Sequence, residues 1–138
     1  MKKKVLLVIL TVIVIVITAI SAVWYFSPRT FLSGIDPSDV KSIFVFDGNT
    51  GENFVIDDLT EIKYVVDNIQ GIEMKRDKVS VGYSGFSFRM SFYDSDGKEI
   101  DSFVINSANT IRDDPFFYRC NGSLCFDYLK ELEAMYVK

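Results

Sequence analysis

An unbroken apolar run near the N-terminus limits what this chain can become more than any other part of it. The run extends from Val5 to Phe26 and directly follows three lysines, Lys2, Lys3 and Lys4. A helix needs about 20 apolar residues to cross the hydrocarbon core of a bilayer, and this run is long enough and carries no charge. The sequence therefore predicts a transmembrane anchor over residues 5–26, preceded by a basic stub over residues 1–4.

The residues that flank the run predict its orientation. Lysines are retained on the cytoplasmic side of a membrane, so we expect Lys2 to Lys4 inside and everything after Phe26 outside. Trp24 and Tyr25 then lie at the far membrane interface, where aromatic rings with one polar edge are favoured. The predicted location is the cell membrane, with a single span and an extracytoplasmic C-terminal domain.

A cleaved secretory signal is the alternative interpretation of this segment. Signal sequences also begin with basic residues, but their apolar core is usually about 7–15 residues long and ends at a small-x-small site. The small residues here are Ala19, Ser21 and Ala22, and bulky side chains follow them directly. The length of the run and these flanks favour an uncleaved anchor; the alternative is a protein secreted after cleavage.

The remaining length and charge suggest one small acidic domain. After the anchor we expect a short stalk over residues 27–34 and a single extracytoplasmic domain over residues 35–138. This part of the chain has 12 Lys and Arg against 19 Asp and Glu, a net charge of −7. Binding to a phosphate backbone needs basic patches, so nucleic acid is an unsuitable partner.

The first half of the domain reads as a hairpin followed by a helix. Ser42–Phe46 and Glu52–Ile56 are strand-like and enclose a turn. Asp58 can cap a helix whose apolar residues recur at helical spacing, and Gly71 ends it. Residues 72–81 predict one strand, or a strand with a loop.

The second half adds a further hairpin and a closing helix. In residues 86–93, Phe86, Phe88, Met90 and Phe92 alternate with other side chains, which is typical of a strand with one buried face. An Asp-Gly turn leads to a partner strand over residues 100–105, and residues 116–119 form a last short strand. Ser123 can cap a helix whose apolar face is Leu124, Tyr128, Leu129, Leu132 and Met135.

These elements predict an α+β fold. Two short helices must bury their apolar stripes, and an antiparallel sheet of about five strands is the only large surface for them. We expect an N-terminal transmembrane helix followed by a two-layer sandwich of that sheet with two helices.

No residue set predicts catalysis, a cofactor or a metal site. Histidine is absent, which removes the usual general base and the commonest metal ligand. Asp94-x-Asp96-Gly97 and Asp47-Gly48-Asn49 resemble fragments of calcium loops, but both lack the later ligands and read as turns. The pairs Asp57-Asp58 and Asp113-Asp114 read as a helix start and a loop before a proline.

Cys120 and Cys125 are the only cysteines, and in an extracytoplasmic domain they could form a disulfide. Such a bond would link the last strand to the final helix and contribute about 2 kcal/mol. Two separate thiols, with Cys125 in the core, are an equal alternative. The spacing does not match a Cys-x-x-Cys redox site.

The basic-flanked anchor, the strand-turn-strand segment from Gly85 to Ile100, and the closing Phe117-Tyr118 with Tyr128 to Leu132 resemble a known kind of protein. They are similar to small membrane-anchored or secreted domains of unknown function from Gram-positive bacteria. The similarity is one of element order over residues 1–138. It implies a cell-envelope location and carries no functional residue across.

The sequence thus leaves three functional classes. The leading interpretation is a non-enzymatic, membrane-anchored binding module with a protein partner at the cell envelope. The second is an inhibitor or immunity-type protein that acts on a toxin or hydrolase, since an acidic surface with aromatic residues would suit a basic partner. The third is an enzyme that uses carboxylates.

Overall fold

A computed structural model describes residues 1–137, which contain three α-helices and eight strands. The helices are α1 (Lys2–Phe26), α2 (Leu59–Gln70) and α3 (Phe126–Tyr136). The strands are β1 (Arg29–Thr30), β2 (Ser42–Asp47), β3 (Asn53–Ile56), β4 (Glu73–Val79), β5 (Phe88–Tyr93), β6 (Glu99–Ser107), β7 (Thr110–Asp113) and β8 (Phe116–Arg119).

Helix α1 projects from the rest of the protein, and none of its residues is buried. Its length and apolar composition make it a candidate membrane span or signal sequence. The three lysines lie in its first turn, and Trp24 and Tyr25 lie in its last turn.

One residue of the sheet binds the C-terminal end of α1. The Nη1 group of Arg76, in β4, donates hydrogen bonds to the carbonyls of Trp24 at 2.8 Å and Tyr25 at 3.0 Å. Its guanidinium also lies 4.0 Å from the centre of the Trp24 ring. A cation at a helix C-terminus satisfies free carbonyls and opposes the helix dipole, so Arg76 fastens α1 to the domain.

The eight strands form one antiparallel sheet in the order β1-β4-β8-β7-β6-β5-β2-β3. Alternation along β5 places Phe88, Met90 and Phe92 on one face, where each is at most 1% exposed. That face carries the core, together with the buried sides of α2 and α3. We call the opposite side of the sheet the open face.

Helix α2 forms as its sequence predicts. A side-chain oxygen of Asp58 accepts hydrogen bonds from the backbone N–H groups of Thr60 and Glu61 and so caps the first turn. The helix ends at Gly71, which keeps a right-handed conformation with φ of −73°. Its core face is Ile62, Val65, Val66 and Ile69.

The α+β class is confirmed, but the expected number of about five strands is wrong. Two strands, β1 and β7, were not predicted. Strand β1 lies within the expected stalk over residues 27–34, and the next two residues, Phe31 and Leu32, are buried in the core. The folded domain therefore begins at Arg29 rather than after residue 34.

Three side chains differ from their expected roles. Ser123 does not cap α3, which begins at Phe126 after Cys125 and has no side-chain cap. Met135 is exposed rather than part of the apolar face of α3. Phe86 lies outside β5 and is not in the core; its ring packs 5.9 Å from that of Phe46.

Candidate functional site

A cleft of about 300 Å³ opens on the open face of the sheet. Strands β5, β6 and β7 and the residue after β7 supply its walls. It is lined by Arg89, Ser102, Phe103, Val104, Arg112, Asp113 and Asp114. Charged and polar groups therefore surround a concave surface in the middle of the sheet.

Arg89 reaches the cleft because it alternates with core residues. It sits between Phe88 and Met90, and it pairs with Phe46 of β2 and Val104 of β6. Its guanidinium stacks 4.3 Å from the centre of the Phe86 ring. Such stacking holds the planar group while leaving its N–H edge available to an acceptor.

No carboxylate in residues 1–137 forms an ion pair with Arg89. The other charges of the cleft are compensated. Nε of Arg112 donates to Asp114 at 2.7 Å and its Nη2 donates to the second oxygen at 3.2 Å, which makes a two-point ion pair.

Asp114 is also linked to the loop between β4 and β5, because the hydroxyl of Ser80 donates to it. The hydrogen bond from Arg112, with that from Ser80, holds the pKa of Asp114 below its ordinary value, and the charge of Arg89 acts in the same direction. Asp114 is thus an ionised partner of an arginine, which suits it poorly to act as a general acid.

Asp113 is paired through a different arginine. Nη1 of Arg29 donates to Asp113 at 2.6 Å and to the hydroxyl of Tyr118 at 3.2 Å. Burial opposes the charged form of Arg29, but these hydrogen bonds outweigh it and raise its pKa. Nearby, burial raises the pKa of Asp101, and the charge of Asp113 adds to that effect.

Apolar side chains extend the open face beyond Arg89. Phe44 is 36% exposed and Val55 is 45% exposed, and the two pair across β2 and β3. Phe44 forms an aromatic border with Phe46 and Phe86, and Val55 adjoins it. The border lies beside Arg89, the only cation of the cleft that lacks a carboxylate partner within residues 1–137. A ligand with an anionic group next to an apolar one would match this arrangement.

The other carboxylates considered from the sequence have local roles. A side-chain oxygen of Asp47 accepts from the backbone of Asn49, and one of Asp94 accepts from the backbones of Asp96 and Lys98, so both are turn residues as expected. Across residues 1–137, no group of three His, Cys, Asp or Glu is arranged to hold a metal ion.

Both cysteines are buried, free thiols. The Sγ atom of Cys120 lies 3.7 Å from the carbonyl oxygen of Asn109 and 3.5 Å from that of Gly122. Burial raises the pKa of Cys125 to about 12. A bond between Cys120 and Cys125 stays a prediction for oxidising conditions.

The cleft could not be named from the sequence. The sequence identified Arg89 only as a residue on the outer face of an alternating strand. Arg112 belongs to β7, which was not predicted. The one available signal was a single arginine in an otherwise uncharged run from residue 79 to residue 93.

Comparison with known proteins yields no matching family model, no similar curated protein and no similar solved structure.

Proposed function

We propose that this protein is a single-pass membrane-anchored, extracytoplasmic binding module that holds an anionic group of a partner in the Arg89 cleft. The module is non-enzymatic. Arg89 carries the proposal, because it is a positioned cation without a carboxylate partner in residues 1–137, within an acidic domain.

The membrane part of the proposal is supported by α1. An 18-residue stretch of this 25-residue helix has a mean hydropathy of 3.1, and no residue of the helix is buried in the protein. An exposed apolar helix of this length is costly in water and favourable in a bilayer. By the positive-inside rule, the lysines at its start support an orientation with the rest of the chain outside the cytoplasm.

The binding part is supported by the chemistry of the cleft. A guanidinium offers paired N–H donors that match a carboxylate or phosphate, and stacking on Phe86 reduces the entropy lost when it binds. The aromatic border supplies apolar contact beside it. We therefore infer a partner whose exposed acidic side chain or terminal carboxylate is flanked by apolar residues.

The non-enzymatic assignment is supported by the pairing of the nearby carboxylates. Asp113 and Asp114 each form an ion pair with an arginine, so their carboxylate oxygens are already engaged within the protein. Arg89 can orient and hold an anion without any further group.

The binding test uses the full chain in lipid nanodiscs and an array of short peptides that vary in acidic and aromatic content. Wild type should retain peptides with a carboxylate next to an apolar residue, and Arg89→Gln should lose them. Arg119→Gln is the matched control, since Arg119 is an exposed arginine in β8 that pairs with Asp77 at 3.4 Å. Equal retention by both variants would refute the cleft as the binding site.

The topology test is protease treatment of intact protoplasts that produce the full chain. Cleavage of the domain with survival of a short membrane fragment is expected. A fully protected C-terminal part would place the domain in the cytoplasm and contradict the proposal.

A further inference from the structure

The last residue of β4 and the loop that follows it expose apolar side chains, although backbone hydrogen bonds hold the loop in place. Val79 is 52% exposed, Val81 is 74% exposed and Tyr83 is 50% exposed. The backbone N–H of Ser80 donates to the carbonyl of Pro115 at 2.8 Å, and the N–H of Tyr83 donates to the carbonyl of Ser80 at 3.1 Å. We call Val79, Val81 and Tyr83 the loop patch.

The contacts of α1 show which way this patch points. Phe116, the first residue of β8, packs with its ring 6.0 Å from that of Tyr25 at the end of α1. Val79 is the direct partner of Phe116 across the β4–β8 ladder. Neighbouring strands lie about 5 Å apart, so the patch begins at the level of Tyr25.

The direction of β4 also extends the loop toward α1. Strand β1, which leaves α1, runs antiparallel to β4, and Arg76 already lies level with Trp24 and Tyr25. The residues of β4 after Arg76 therefore run back toward α1 and away from the far end of the domain.

The charged residues around the loop patch are of the kind found next to a lipid surface. The 16 residues from Lys78 to Tyr93 contain no carboxylate, although the part of the chain after residue 26 has a net charge of −7. The ammonium of Lys78 lies 4.8 Å from the centre of the Tyr83 ring. A basic residue beside tyrosine and valine is the composition expected at a membrane interface.

We propose that the loop patch inserts into the outer interface of the bilayer that α1 crosses, which gives the domain a second membrane contact. This inference rests on the proposed membrane anchoring by α1. Val81, at the tip, enters deepest, and Tyr83 keeps its hydroxyl among the headgroups while its ring also packs on Phe117.

The test measures quenching of tryptophan emission by brominated phosphatidylcholine in vesicles that contain the full chain. Val81→Trp is introduced into a Trp24→Phe background, and Val79→Trp serves as a second probe of the patch. The matched control is Met135→Trp in the same background. Met135 is 57% exposed near the end of α3, where the next residue, Tyr136, stacks on Phe54 of β3 at the opposite edge of the sheet.

Tryptophan at position 81 or 79 should lose most of its emission and shift to shorter wavelength, while tryptophan at position 135 should do neither. Equal quenching at positions 81, 79 and 135, whether strong or absent, overturns the proposal. Wild-type Trp24 separates the two claims: quenching at Trp24 without quenching at positions 81 and 79 refutes only the loop contact. Absence of quenching at Trp24 refutes the anchor itself and the loop proposal with it.

Discussion

Gly48 lies so close to Phe86 that even one methyl group should destabilise the domain. A Cβ atom at Gly48 would lie 2.5 Å from the backbone oxygen of Phe86 and 2.8 Å and 2.9 Å from two atoms of its ring. The N–H of Gly48 donates to the carbonyl of Ser87 at 2.8 Å, which fixes this approach.

Gly48→Ala must therefore compress that contact and, as the backbone shifts to relieve it, break that hydrogen bond. Overpacking costs about 1–3 kcal/mol, and loss of a typical hydrogen bond costs about 1 kcal/mol. We expect a loss of about 2–4 kcal/mol in the free energy of unfolding. At about 4–8 °C per kcal/mol for a domain of this size, Tm should fall by roughly 10 °C or more.

The assay is urea and thermal unfolding of the full chain in mild detergent micelles, followed by near-ultraviolet circular dichroism. Gly85→Ala is the matched control, because a Cβ there meets no atom within 4 Å. It should be neutral or stabilising by up to about 1 kcal/mol, since alanine restricts the unfolded chain.

A double variant separates the two sources of the clash at Gly48. Adding Phe86→Ala to Gly48→Ala removes the ring contact but leaves the backbone oxygen in place, so it should not restore stability. Equal unfolding midpoints for Gly48→Ala and Gly85→Ala would refute the steric argument, and full rescue by Phe86→Ala would assign the clash to the ring alone.

Two further predictions concern the core. Phe88→Ala should cost about 3–5 kcal/mol, because Phe88 is buried, whereas Phe44→Ala on the open face should cost clearly less; unfolding midpoints that fall equally would show that the faces are wrongly assigned. Burial raises the pKa of the Cys125 thiol to about 12 from an ordinary value of 9.0. Above pH 9 the thiol therefore loses its proton in the unfolded state before it does so in the folded state. The free energy of unfolding should then fall as the pH rises from about 9 to about 12. Its slope should be steeper than that of Cys125→Ala by up to about 1.4 kcal/mol per pH unit. Parallel slopes for the two proteins in urea titrations at several pH values would contradict this.

The elements that the sequence predicted well are those with strong local patterns. Strand β5 alternates regularly, and α2 has a capping aspartate followed by apolar residues at helical spacing. Strand β1 has only two residues and exists because Arg29 pairs with Met74, far along the chain. Strand β7 buries one residue, Ile111, so its pattern of apolar residues is too weak to predict a strand. Both missed strands depend on long-range pairing rather than on local preference.

The cleft was missed for the same reason. Arg89 and Arg112 come from strands separated by β6, and an arginine that occurs alone in the sequence does not indicate a binding site. The close approach of Gly48 to Phe86 brings together the turn after β2 and the end of the loop before β5, which lie far apart in sequence. Only pairing of β2 with β5 creates it.

The early start of the folded domain limits how far it can move from a membrane. Only Ser27 and Pro28 separate α1 from β1, and Phe31 is 1% exposed. Two extended residues span about 7 Å, which is less than the thickness of a single helix. With α1 in a bilayer, the domain cannot reach out to distant molecules and would search for its partner by lateral diffusion. Its partners would then be other components of the same membrane or molecules that come to its surface, and crowding of that surface would set how often they meet.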